Sequence, residues 1–142
     1  MPIRAIAYIS QAAQPWQREA IDAMVEDAAA FNVRAGVTGV LLFDGVQFLQ
    51  YIEGPATGID EAYGRILAST KHSEVVELGR GPIGHRLLPY WAMQWLLADP
   101  AQLRTAARAD WTGFVSSPGP VPVTAMDHLQ LYLGSFVSRW PR

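Results

Sequence analysis

The first third of the chain combines a β-strand pattern with a helical one. Residues 3–10 predict a strand because apolar residues fill every second position, which gives one face composed of Ile3, Ala5, Ala7 and Ile9. The opposite face would carry Arg4, Ile6, Tyr8 and Ser10. From Trp16 to about Phe31 the apolar positions recur at helical spacing, after a proline, Pro15, that suits the first turn of a helix. Gly36 then ends the helical pattern.

The middle of the chain predicts a β-hairpin and a second helix. Residues 37–43 are almost all apolar, as in a central strand, and Asp44-Gly45 is a strong hairpin-turn signal. The return strand, residues 46–53, would place on one face Val46, Phe48, Gln50 and Ile52. After Gly54-Pro55, a helix beginning at Thr57 or Gly58 would bury Ile59, Ala62, Tyr63, Ile66 and Leu67.

The remaining elements complete an α+β fold. Residues 73–78 predict a fourth strand, and residues 91–97 a fifth whose one face would carry Trp91, Met93 and Trp95. The order β-α-β-β-α-β-β, with both helices on one face of a mixed sheet, is the ferredoxin-like arrangement. C-terminal helices are predicted over 100–109 and 124–140, on either side of a Pro/Gly/Ser linker. The apolar stripe of the last helix consists of Met126, Leu129, Leu133, Phe136, Val137 and Trp140.

Composition and charge exclude several classes of protein. A length of 142 residues suits one domain with a short appendage, and the absence of cysteine rules out disulfides, thiolate metal sites and a cysteine nucleophile. The net charge is −2 and the signs are mixed, so no basic stripe for nucleic acid is present. No apolar run approaches the ~20 residues that span a bilayer. We therefore expect a cytoplasmic protein that contacts neither nucleic acid nor membrane directly.

Conventional catalytic motifs are missing from the sequence. Walker and Rossmann fingerprints are absent, and His72, His85 and His128 lack the spacing of metal ligands. The serines have no nucleophile-elbow context. We therefore expect neither an enzyme nor a metal site.

Polar side chains on apolar faces are the unusual feature of this chain. Gln50 would point the same way as Phe48, and a buried amide without a partner costs ~1–3 kcal/mol. Tyr8 lies on an inner strand, and its phenol also needs a partner. The purely structural interpretation is a Tyr8–Gln50 hydrogen bond that pins two strands, with Asn32 as a helix C-terminal cap.

Four short motifs occur in a fixed order between residue 3 and about residue 97. The first strand ends in Ala-Tyr-Ile-Ser, residues 32–43 read Asn-Val-Arg-Ala-Gly-Val-Thr-Gly-Val-Leu-Leu-Phe, and residues 48–55 read Phe-Leu-Gln-Tyr-Ile-Glu-Gly-Pro. Arg86 and Trp91-Ala-Met93 form the fourth. Together they resemble the BLUF family, blue-light sensors that use flavin. Its corresponding patterns are Asn-x-x-x-Gly-Ile-Thr-Gly-Leu-Leu-x-Tyr, Phe-x-Gln-x-Leu-Glu-Gly and Arg-x-Phe-x-x-Trp-x-Met.

The resemblance implies a flavin site between the two helices, against the sheet. Asn32 would hydrogen-bond the polar edge of the isoalloxazine ring, and Gln50 would bridge Tyr8 and the ring. The apolar walls would be Met24, Leu41 and Phe48. Positive charge near the phosphate-bearing tail would come from Arg65 and Lys71, next to His72. The family's usual flavin is FAD, with FMN as the alternative.

The resemblance also implies how such a protein responds to light. Tyr8 would give an electron and then a proton toward the excited flavin, the radical pair would recombine, and Gln50 would be left rearranged. Because an amide has a donor end and an acceptor end, its rotation or tautomerisation changes the hydrogen bond to the ring and shifts the absorption. The fifth strand, with Trp91 and Met93, would read out the change and pass it to the C-terminal helices.

Four positions depart from the family pattern. Phe31 stands where the family often has Asn or His, and Leu88 replaces a Phe. Residues 69–72, Ser-Thr-Lys-His, replace Asp-x-Arg-His, which weakens the assignment of the phosphate side. The positions of the photochemistry, Tyr8, Gln50 and Asn32, are unaffected.

Two other functions remain open. One is a light-silent interaction scaffold with a BLUF-like fold, and the other an acylphosphatase-like small enzyme, which Gly45-Val-Gln-Phe faintly resembles. We divide the chain into a flavin-binding domain, 1–98, and a C-terminal helical extension, 99–142. The extension would pack back on the open sheet face or form a homo-oligomer contact. It is too short for a cyclase or phosphodiesterase, so we expect a separate protein partner whose identity and process the sequence does not specify.

Overall fold

The fold is built on one five-stranded sheet with the strand order β4-β1-β3-β2-β5. The computed structural model describes residues 2–111, 113–114 and 124–137. Its elements are β1 (Ile3–Ala12), α1 (Arg18–Ala35), β2 (Thr38–Phe43), β3 (Gln47–Pro55), α2 (Ala56–Ala68), β4 (His72–Ile83), β5 (Gln94–Leu97), α3 (Pro100–Arg108) and α4 (Ala125–Val137). This order of elements is the predicted one, and the ferredoxin-like α+β prediction is confirmed.

Two interlocked crossovers produce this sheet. Helix α1 connects β1 to β2 across β3, and α2 connects β3 to β4 across β1. Neighbouring strands among the first four are antiparallel, whereas β5 pairs in parallel with β2. The register places Tyr8 directly opposite Gln50, and Gln50 opposite Leu41. Residues that alternate along each strand therefore meet in rows on one face.

The two faces of the sheet carry separate apolar cores. On the first face, α1 and α2 pack against β1, β2 and β3 through Ile21, Val25, Ile59, Ala62, Ile6, Leu41, Phe48 and Ile52. On the second face, α3 and α4 cover the sheet through Leu103, Ala106, Met126, Leu129 and Leu133. Full burial of each such leucine stabilises the fold by roughly 1.5–3 kcal/mol.

The C-terminal helices thus pack back on the sheet, as expected from the apolar stripe of α4. Side chains of Phe136, Val137 and Trp140, which were predicted to continue that stripe, lie outside the described residues. The division at residues 98 and 99 remains a prediction. No helix in the described ranges is long and apolar enough to cross a membrane.

Two glycines end elements where a left-handed backbone is needed. Gly36 has φ +72° and closes α1 by donating its N–H to the carbonyls of Asn32 and Val33. Gly45 has φ +100° in the turn between β2 and β3. The carboxylate of Asp44 supports this turn by accepting from the N–H groups of Val46, at 2.9 Å, and Gln47, at 2.7 Å.

Several predicted boundaries were wrong. Helix α1 begins at Arg18 rather than at Trp16 and continues to Ala35. Strand β4 spans residues 72–83 instead of 73–78, because it pairs with β1 over nearly its full length. Two glycines and a proline in its second half weaken the alternation by which strands are recognised.

The predicted common face for Trp91, Met93 and Trp95 was also wrong. Strand β5 begins only at Gln94, so Trp91 and Met93 precede it and do not follow strand alternation. Trp91 belongs to the core of the second face, whereas Met93 and Trp95 pack on the first face. Residues 91–93 are held by side chains and by isolated hydrogen bonds, such as the one that the Gly39 N–H donates to the Trp91 carbonyl at 2.8 Å.

Candidate functional site

A cavity of about 520 Å³ lies between α1, α2 and the first face of the sheet. It is lined by all nine residues that were predicted to contact a cofactor: Tyr8, Met24, Asn32, Leu41, Phe48, Gln50, Arg65, Lys71 and His72. Met93 also lines it, whereas Trp91 does not. Helix α1 presents small side chains to this space, Ala20, Ala23 and Ala28. These alanines leave room for a flat ligand, a contribution that sequence reasoning missed.

A chain of hydrogen bonds crosses the floor of the cavity. The hydroxyl of Tyr8 donates to Oε1 of Gln50, and Nε2 of Gln50 donates to Sδ of Met93 at 3.6 Å. Gln50 is only 7% exposed, so its amide depends on these two partners. The strand-pinning bond between Tyr8 and Gln50 is therefore present, and it extends to a third residue.

The phenol of Tyr8 is neutral in this setting. Its side chain is buried, and burial raises the pKa of Tyr8 well above its ordinary value, with a further contribution from nearby Tyr63. The phenol therefore keeps its proton and can donate it to Gln50.

Asn32 lies within α1 rather than at its cap, and it is 4% exposed. Its Nδ2 donates to the carbonyl of Ala92 at 2.8 Å. Its Oδ1 accepts no hydrogen bond from the described residues, although Asn32 lines the cavity. A buried acceptor without a protein donor suits a ligand that presents an N–H group.

The ring of His72 is fixed at both nitrogens. Nε2 lies 2.8 Å from the carbonyl of Ile66, and Nδ1 lies 2.6 Å from Oγ of Ser10. A carbonyl only accepts, so Nε2 carries the proton, and in a neutral ring Nδ1 accepts from Ser10. His72 thereby forms a rigid part of the wall next to Tyr8, with ring centres 5.9 Å apart.

Two cations on the cavity lining each lie over an aromatic ring. The guanidinium of Arg65 is 4.3 Å from the ring centre of Phe31, and it pairs with Asp27 at 3.5 Å. The ammonium of Lys71 is 5.2 Å from the ring centre of Trp16. Phe31, one of the residues that depart from the family pattern, therefore supports a cation instead of contributing a polar group.

Sequence reasoning missed a polar anchor beside Tyr51, on the second face of the sheet. The carboxylate of Glu53 is fully buried and accepts four hydrogen bonds, from Tyr51 Oη, Leu87 N, Leu88 N and Thr38 Oγ1, at 2.7, 2.8, 2.7 and 3.2 Å. Arg86 binds the same region through the carbonyls of Gly36, at 2.6 Å, and Glu53, at 3.3 Å. The anchor fixes residues 86–88, which lead to Trp91 and Met93. Its sequence signals were a carboxylate inside an apolar strand and the places of Glu53 and Arg86 in the family motifs.

Flat apolar walls, a buried amide pair and cations on the lining define a binding domain for a planar, anionic ligand. No group of three potential metal-ligating side chains occurs in the part of the chain that the structure describes. Residues 3–94 match the family model described as "BLUF: Sensors of blue-light using FAD". The chain therefore belongs to the BLUF family.

Individual relatives agree with this assignment. The chain is 31% identical over 97 residues to the photoactivated adenylate cyclase subunit beta of Euglena longa, covering 68% of this chain and 11% of that subunit. It is 40% identical over 58 residues to the blue light- and temperature-regulated antirepressor BluF of Escherichia coli, covering 41% of this chain and 14% of the antirepressor. The dark-state structure of BlrB, a BLUF protein, superposes with a TM-score of 0.65 at 31% identity, covering 75% of this chain and 79% of that chain.

The chain thus spans only a small part of the cyclase subunit and of the antirepressor. As a BLUF domain it binds flavin and senses blue light, and it is a sensor rather than a catalyst. The predicted family and cofactor class are confirmed, and the acylphosphatase-like alternative is set aside.

Proposed function

We propose that this chain is a photoreceptor in which Tyr8, Gln50 and Met93 convert light absorption into a rearranged set of hydrogen bonds. The observation that carries the proposal is the continuous chain from the Tyr8 hydroxyl through the Gln50 amide to the Met93 sulfur, on the floor of the cavity.

The lining residues fit a flavin. The ring faces would contact Met24, Leu41 and Phe48, and the unsatisfied Oδ1 of Asn32 would accept from an N–H on the polar edge of the ring. Arg65 and Lys71 would bind the phosphate groups of the tail. We infer FAD, the flavin named for the family, with FMN as the alternative.

When bound, the flavin supplies light absorption and electron acceptance. The neutral phenol of Tyr8 would then serve as the source of an electron and of the proton it already directs at Gln50, and both would return to the phenol, so that only the Gln50 amide is left rearranged. Rotation of the Gln50 amide would turn its oxygen toward Met93. A thioether cannot donate to that oxygen, so the Gln50–Met93 contact would be lost. Met93 would then be held only by its packing in the core of the first face.

Residues 91–93 are placed to carry this change across the sheet. Met93 lies against the cavity, whereas Trp91 packs in the core formed with α3 and α4. Displacement of Met93 would pull on Trp91 and hence on the C-terminal helices. We propose these helices as the output element, acting on a separate protein, as the name of the Escherichia coli antirepressor suggests for that relative. Homo-oligomerisation and a cytoplasmic location also stay predictions.

The test is an absorption spectrum of the purified protein before and after a blue flash. We expect a flavin band that shifts slightly to the red and recovers in the dark. Bound flavin without a shift would make the chain a light-silent relative and overturn the proposal. Chromatography of the released flavin separates FAD from FMN.

A further inference from the structure

Strand β5 is fastened to α1 by three side chains, which we call the tryptophan clamp: Trp95, Asp22 and Arg18. The indole N–H of Trp95 donates to Oδ1 of Asp22 at 2.6 Å. The guanidinium of Arg18 lies 5.7 Å from the centre of the Trp95 ring. A charge-assisted hydrogen bond and a cation–π contact thus act on one side chain.

Helix α1 holds the segment around Met93 at two points. The amide of Asn32 binds the carbonyl of Ala92, and Asp22, three turns earlier on the same helix, binds Trp95. Met93 lies between these two attachments. It lines both the flavin cavity and an open groove between α1 and β5.

Strand β5 needs such support. It has four residues, and among the described strands it pairs only with β2. A short edge strand is the part of a sheet that shifts most readily. The register nevertheless puts Trp95 opposite Leu41, in the same row as Gln50 and Tyr8. Movement of β5 relative to α1 would therefore change the approach of Met93 to Gln50.

We propose that Trp95 is a positioning residue for the light response, acting through Met93. The clamp keeps β5 in the position where the Met93 sulfur meets the Gln50 amide, and it thereby favours return to the dark arrangement. This inference rests on the proposed function of Tyr8, Gln50 and Met93.

The main variant is Trp95→Phe, which keeps an aromatic ring for Arg18 but removes the indole N–H. We expect dark recovery at least threefold slower than in the unaltered protein, with flavin content unchanged. Asp22→Ala should slow recovery similarly, whereas Asp22→Asn, which retains an acceptor oxygen, should restore most of the rate. Glu26→Gln is the matched control, because Glu26 lines the same groove one turn further along α1 and takes no part in the clamp.

A double variant separates positioning from general support of the fold. If the clamp acts through Met93, adding Trp95→Phe to Met93→Ala should change recovery less than twofold. An equal slowing in both backgrounds, or recovery of Trp95→Phe at the unaltered rate, would overturn the clamp proposal. If Trp95→Phe does not fold, Asp22→Ala provides the same comparison. Absence of any photocycle in the unaltered protein would instead refute the proposed function.

Discussion

The Gln50 amide has a strong partner at one end and a weak partner at the other. A phenol donates to its oxygen, whereas its N–H group meets a thioether, which is a weak acceptor. The contact with Met93 therefore costs little to break, while the bond to Tyr8 holds the amide in one orientation. This asymmetry makes Gln50 suitable as a switch that is stable in the dark.

Replacing either end of this switch should abolish the response. In Tyr8→Phe and in Gln50→Leu we expect no red shift after a blue flash, although flavin remains bound, because the apolar walls are intact. The measurement is a light-minus-dark difference spectrum. Tyr63→Phe is the control, since its ring centre lies 5.9 Å from that of Tyr8 but its hydroxyl does not bond to Gln50. A normal shift in both main variants would contradict the mechanism.

The two cations on the cavity lining should distinguish flavins by their phosphates. In the double variant Arg65→Ala, Lys71→Ala we expect FAD affinity to fall about tenfold or more, since a hydrogen bond to a charged group contributes about 1.5–3 kcal/mol. Affinity for riboflavin, which has no phosphate, should change less than twofold. Fluorescence titration of the apoprotein measures both. Arg34→Ala, outside the cavity, is the control, and an equal loss for both flavins would refute the assignment.

At the scale of elements, the sequence predicted those helices and strands whose apolar residues follow a local period. Alternation and helical spacing predicted β1, β2, β3, α1 and α2, whereas the residues that line the cavity were implied by the resemblance to the BLUF family. Strand β4 was shortened because Gly79, Gly81 and Pro82 interrupt its pattern. The face of Trp91 was misassigned because isolated long-range hydrogen bonds, rather than the hydrogen-bond ladder of a strand, hold residues 91–93. The anchor at Glu53 depends on a loop folding back over β3, which no local pattern encodes.

The Glu53 anchor should matter for stability more than any surface ion pair. In Glu53→Gln, whichever oxygen becomes NH₂, one backbone N–H of Leu87 or Leu88 loses its acceptor. We expect the free energy of unfolding to fall by about 2–3 kcal/mol, as for lost hydrogen bonds to a charged group. Urea denaturation measures this. Glu77→Gln, which breaks the exposed pair with Arg80, should cost less than about 1 kcal/mol, and an equal loss in both would refute the argument.

At the scale of the whole molecule, the sheet separates the cavity from the face that we propose as the output. The residues that line the cavity lie between the sheet and α1 and α2, and α3 and α4 cover the opposite side. Residues 91–93 reach both faces without belonging to a strand, since Met93 lines the cavity and Trp91 packs in the core with α3 and α4. Leu129→Ala, which opens a cavity under α4, should therefore destabilise the fold by about 2–5 kcal/mol while leaving the dark flavin spectrum unchanged. Urea denaturation and absorption spectra test the two parts separately, and an altered dark spectrum would show that the faces are not independent.

The two faces also share a dependence on pH. Burial raises the pKa of Tyr8 on the first face, and burial followed by the nearby Glu53 carboxylate raises the pKa of Tyr51 on the second. Each phenol binds its proton more tightly in the folded state than in the unfolded state. The stabilisation of the fold by these protonated phenols is therefore complete below about pH 10, the ordinary tyrosine pKa, and is lost as the pH rises further. We expect the free energy of unfolding to fall above pH 10 by up to about 1.4 kcal/mol per pH unit for each tyrosine. Urea denaturation at pH values from about 9 to about 11, on either side of the ordinary tyrosine pKa, tests this. Tyr51→Phe should reduce the slope of the free energy of unfolding against pH. An unchanged slope would mean that Tyr51 ionises as readily in the folded chain as in the unfolded one.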